Sequence, residues 1–134
     1  MRPPDEIRRE LVRQWLEKAE EDFAVAEHLL LSGTSFGGAI CFHAQQAVEK
    51  YLKAFLVHKQ IEFRKTHDIE ELLELVAGMD ESLAASLEMA SQLNPYGVEV
   101  RYPGDFLTPS KDEVVEACRL VSLVRKAILK ELMD

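Results

Sequence analysis

The chain has 134 residues, 47% hydrophobic and 30% charged, the size and balance of a single domain built on one core. A formal net charge of −8 excludes a protein whose main work is coating nucleic acid, because counterion release at phosphates needs clustered lysine and arginine. The opening MRPPDEIRRE has no apolar core of a signal segment, and no apolar run approaches the roughly 20 residues of a membrane span, so a cytoplasmic protein with no membrane contact is expected.

After Pro3 and Pro4, Ile7, Leu11, Trp15, Ala19, Phe23, Ala26 and Leu30 recur three or four residues apart, which predicts one long helix ending near Gly33. At about 1.5 Å per residue it would run roughly 40 Å, so its partner must be comparably long. That partner begins near Ser35, where Ile40, Ala44, Ala47, Val48, Tyr51, Phe55 and Leu56 keep helical spacing. SGTSFGG between the two suits a tight antiparallel hairpin. A third helix fits HDIEELLELVAGM, with Asp68, Glu70 and Glu71 at the dipole's positive end and Gly78 as a stop. A fourth is expected from Glu81 to Gln92, followed by a Gly- and Pro-rich loop, NPYGVEVRYPGDFLTPS. SKDE then reads as a capping box, Ser110 with Glu113, opening a last helix buried along Val114, Cys118, Val121, Val124 and Ile128. Together these predict an all-α, up-and-down bundle of four to five helices with a long N-terminal antiparallel helical hairpin, one domain over residues 1–134. Cys41 and Cys118 lie in helical segments and are expected to be reduced packing residues.

Charge is unevenly spread. From Cys41 to His67 stand five cations, Lys50, Lys53, Lys59, Arg64 and Lys65, against Glu49 and Glu62, whereas Asp68 to Gln92 carries seven acids and no lysine or arginine. A solvated helix face and an anion site both account for such runs. On the second helix His43, Gln46, Lys50 and Lys53 form a polar strip offering an imidazole, an amide and two ammonium groups, a set able to hold phosphate. The competing structural reading has His43 bridging to another helix and both lysines in water. Gln45, about 100° round the helix from Gln46, is expected to face a different neighbour. In the long loop, Arg101 can fork two hydrogen bonds onto phosphate and Tyr102, held extended before Pro103, can stack on a base; equally, the pair can tie the loop down. Thr66 or His67 is expected to cap the third helix, with a bond from His67 across to the hairpin as the alternative.

No Walker-type loop, GxGxxG, HExxH or CxxC occurs, and the four histidines are scattered, so no cofactor and no metal site is expected.

WLEKAEEDFAVAEHLL, then GAICFHAQQAVEKYLKAFLV, THDIEELL and RYP resemble the HEPN domain family (higher eukaryotes and prokaryotes nucleotide-binding) over nearly the whole chain, most specifically in FHAQQAVEKYLKA. The resemblance implies a helical bundle, a homodimer, and in some members a nucleotide ligand or a minimal nucleotidyltransferase partner in toxin–antitoxin-like modules. It shifts His43, Lys50, Arg101 and Tyr102 towards a ligand pocket, with Gln46, Lys53 and His67 among the shared positions; with the polar strip, the expected ligand-binding set is His43, Gln46, Lys50, Lys53, Arg101 and Tyr102. Many relatives are metal-independent ribonucleases with an arginine, four to six residues, then a histidine. This chain departs from that pattern, since Arg64 and His67 are too close and no histidine follows Arg101. The expectation is therefore a non-enzymatic binding module with no assigned catalytic residue. A divergent ribonuclease acting on RNA through His43 and Arg101, and a purely structural oligomerisation module, are the alternatives.

Overall fold

A computed structural model of the chain describes residues 4–33, 35–97 and 108–133, all α-helical, 3-10 helical or connecting backbone. In order come α1 (Pro4–Leu31), α2 (Gly37–His58), α3 (Ile69–Met79), α4 (Glu81–Ser86), a 3-10 helix (Glu88–Gly97) and α5 (Lys111–Met133). The predicted all-α bundle with its N-terminal hairpin is what forms.

α1 stops where its alternation does. The Ser32 hydroxyl donates to the Leu29 carbonyl and Gly33 takes a φ of +72°, a region open to glycine at little cost. The chain reverses and α2 packs back along α1. Alanines make the approach close: Ala19 and Ala26 on α1, and Ala44, Ala47 and Ala54 on α2, are all buried, and small side chains let helix axes draw together. α2 is the central element. It buries 14 of its 22 residues and contacts α1, α3, the 3-10 helix and α5. Tyr51, Leu52, Phe55 and Leu56 are fully buried, each apolar side chain contributing about 1.5–3 kcal/mol through loss of water contact.

Two expectations need correction, and the stripe of α1 is only partly covered. The apolar stripe of α1 is not buried along its length: α1 is six residues longer than α2, so Ile7 and Leu11 remain 40% and 43% exposed beside Ile61 and Phe63. The fourth helix breaks after Ser86, where Leu87 bonds back three residues to Ala84, and the chain continues as a 3-10 helix through Pro95 rather than turning to loop at Asn94. Asn94 explains the persistence, because its Oδ1 accepts from the Ile69 N–H at 2.8 Å and its Nδ2 donates to Asp68 at 2.8 Å, fastening this segment to the start of α3. The cap of α3, finally, is Asp68, whose carboxylate accepts from the Glu70 N–H at 2.9 Å, not Thr66 or His67.

The expected capping box closes α5: Glu113 N–H donates to Ser110 Oγ at 3.1 Å and Ser110 N–H to Glu113 Oε1 at 2.9 Å. The buried line of α5 runs through Val114, Ala117, Leu120, Val121, Val124 and Ile128, with Cys118 half-buried at its edge. Burial pushes the Cys41 thiol up to about 11, with Cys118 a second cause, so the two free thiols behave as packing groups.

Gly78 lies inside the last turn of α3, and a Cβ added there would meet nothing within 4 Å. Gly78→Ala is therefore expected to stabilise the protein by about 0.5–1 kcal/mol, seen as a higher urea midpoint with unchanged m-value.

Candidate functional site

α2 carries three polar constellations, each fixed by a residue the sequence reading did not single out. The first is half-exposed. Asp22 reaches from α1 and places Oδ1 2.9 Å from His43 Nδ1 and Oδ2 2.5 Å from Lys50 Nζ. The Asp22 side chain is 13% exposed, against 30% for His43 and 23% for Lys50, so the carboxylate lies beneath the two groups it holds. Phe42 stands edge-on to the imidazole at 5.3 Å between ring centres. When Asp22 accepts from Nδ1, the other ring nitrogen keeps its lone pair for a proton, which is how a carboxylate orients an imidazole for acid–base work.

The second is internal. Glu49 is buried and receives Lys53 Nζ at 2.7 Å, His67 Nδ1 at 2.9 Å and Gln45 Nε2 at 3.2 Å. Lys53 also donates to the Thr66 carbonyl at 2.8 Å and lies 5.2 Å from the centre of the Trp15 ring. Gln46 donates to Gln45 Oε1 at 2.7 Å, and Gln45 Nε2 reaches the His67 carbonyl at 3.2 Å. The buried ion pair is thereby saturated with hydrogen bonds, the condition under which a low-dielectric pair is tolerated.

The third ties three helices. Arg125 of α5 forks onto Glu20 of α1 at 2.7 and 3.1 Å, and Tyr51 of α2 donates to the same carboxylate at 2.5 Å. The Arg125 hydrogen bond, with help from Tyr51, holds Glu20 below the usual carboxylate range, and burial pushes the Tyr51 phenol far above its ordinary value.

The predicted polar strip is thus not one solvent edge. His43 and Lys50 are at the surface, whereas Gln46 and Lys53 are buried and already committed to Gln45, Glu49 and Thr66. Burial and these internal bonds favour a structural role for those two. Gln45 and Gln46, expected to face different neighbours, bond each other. His67 takes the alternative offered for it, a bond across to α2, with its side chain 58% exposed. Arg101 and Tyr102 lie outside the described residues. Asp22 and Glu20 could have been found by reflection about the hairpin turn: with Ser35 as pivot, Asp22 mirrors Val48, between His43 and Lys50.

Among the described residues, no group of three or more His, Cys, Asp or Glu could hold a metal ion, and no helix is long and apolar enough to cross a membrane.

A family profile for the HEPN domain matches residues 12–132. No curated protein matches the chain. Among solved structures, the crystal structure of TT1696 from Thermus thermophilus superposes with a TM-score of 0.70 at 26% identity, covering 89% of this chain and 96% of that one. The resemblance seen in the FHAQQAVEKYLKA stretch, the helical bundle and the profile over nearly the full length agree: the chain belongs to the HEPN domain family.

Proposed function

We propose that this HEPN-domain protein is a dimeric binding module for a phosphate-bearing nucleotide, working with a minimal nucleotidyltransferase partner in a toxin–antitoxin-like system rather than as an enzyme. The observation that carries the reading is the half-exposed His43 and Lys50 pair, two turns apart on α2 and held in one orientation by Asp22. An ammonium and a protonated imidazole so placed can both donate to one phosphate group.

Calorimetric titration with ATP tests the reading. Saturable binding is expected, at least about tenfold weaker in Lys50→Ala, while the thermal melt of that variant persists. A dimer in sedimentation that binds no nucleotide would overturn it in favour of the oligomerisation module. The Asp22–His43 contact supports a second reading, a metal-independent ribonuclease with His43 as general acid or base. RNA cleavage abolished by His43→Ala would establish that one instead.

A further inference from the structure

Both groups that would hold a phosphate already bond a carboxylate. Asp22 spends one carboxylate oxygen on His43 and the other on Lys50, and it does so from a different helix. Carboxylate and phosphate oxygens are acceptors of the same kind, so any phosphate arriving here competes with an anion already in place. With the imidazole neutral, Lys50 and Asp22 cancel, and the site has no net charge to offer a simple anion. Because Asp22 is tethered to α1, it rebinds at high effective concentration, which a free monovalent or divalent anion in solution cannot match. A ligand with further points of attachment can.

We propose that Asp22 is the specificity-determining residue of this site, a built-in competitor anion that excludes free phosphate and yields only to a ligand carrying additional contacts, such as a nucleotide. The inference rests on the nucleotide reading given above and adds the means of selection. It also couples the site to the fold: Asp22 is on α1 and both its partners are on α2, so a ligand that displaces it releases one tie between the hairpin helices.

Three proteins separate the outcomes: the unaltered chain, Asp22→Asn, which removes the charge at nearly constant shape, and Asp22→Glu, which keeps it. Each is titrated calorimetrically with inorganic phosphate and with ATP. The unaltered chain and Asp22→Glu are expected to bind ATP and ignore phosphate. Asp22→Asn is expected to bind ATP at least about tenfold more tightly, the effect of removing one like charge within about 4–6 Å, and to bind phosphate measurably. ATP binding by Asp22→Asn alone would overturn the selective role, since Asp22 would then exclude nucleotide and phosphate alike. Equal or weaker ATP binding by Asp22→Asn, with the unaltered chain still binding, would overturn the competitor role and leave the nucleotide reading standing, Asp22 then merely positioning the donors. Silence from all three proteins would overturn both. Hydrogen exchange on the unaltered chain gives a check independent of any variant's folding: ATP should speed exchange in α1 around Asp22, and slower exchange there would reject displacement.

Discussion

Lys53→Met is expected to destabilise the fold by about 3–5 kcal/mol, measured by urea unfolding, although it exchanges one long unbranched side chain for another. The loss comes from what stays behind. Glu49 is buried and keeps only Gln45 and His67 as donors, and the Thr66 carbonyl loses its Lys53 bond. An uncompensated carboxylate in that position costs far more than the ion pair contributed, and typical domain stabilities of about 5–15 kcal/mol leave little room for it. The double variant Glu49→Gln with Lys53→Met should recover most of the loss, because it removes both charges while retaining the amide hydrogen bonds. A single variant within about 1 kcal/mol of the unaltered protein would show that water reaches Glu49 and that the network is not a low-dielectric one.

The second large effect is expected at Gly97. A Cβ there would lie 2.6 Å from Gln45 Nε2 and 2.7 Å from its Cδ, closer than packed atoms come. An exposed glutamine would swing aside; this one is fully buried and bonded to Glu49, Gln46 and the His67 carbonyl. Gly97→Ala should therefore cost about 1–3 kcal/mol by overpacking. In a double-mutant cycle with Gln45→Ala, the two costs should fall well short of adding, since shortening Gln45 removes the obstacle. Strict additivity would place the strain elsewhere. The contrast with Gly78→Ala, expected to stabilise, separates a glycine required by close approach from one that is only helix-weakening.

The backbone plan is readable because it depends on local signals. Helical spacing, the glycine-rich reversal and the Ser110–Glu113 box each act within a few residues, and each forms where the pattern puts it. The site is less legible, for a reason visible in Lys53 and Lys50. Both lie on the same strip of α2 at helical spacing, yet one is buried against Trp15 and Glu49 and the other reaches water beside Asp22. Periodicity says which residues share a face; it does not say how far a neighbouring segment climbs over it. Here the turn after α2 lays Thr66 and His67 over the side of the strip next to Gln45, Glu49 and Lys53, while the side carrying His43 and Lys50 meets Asp22. The local positive balance from Cys41 to His67 misleads in the same way, since Asp22, on another helix, neutralises part of it. The α3 cap falls one or two residues from its expected place because Asp68 competes for that role with Thr66 and His67, and Asn94, remote in sequence, holds Asp68 in position.

The meeting of Glu20, Tyr51 and Arg125 joins residues far apart in the chain, with α5 packed along α2 and touching α1. Synthesis delivers α5 last. Until it emerges from the ribosome, α1 and α2 can pair but α2 lacks the apolar cover that α5 later supplies. The nascent chain therefore passes through a hairpin with one bare apolar side, the stage at which a chaperone would find something to hold and at which a premature stop would leave an aggregation-prone fragment.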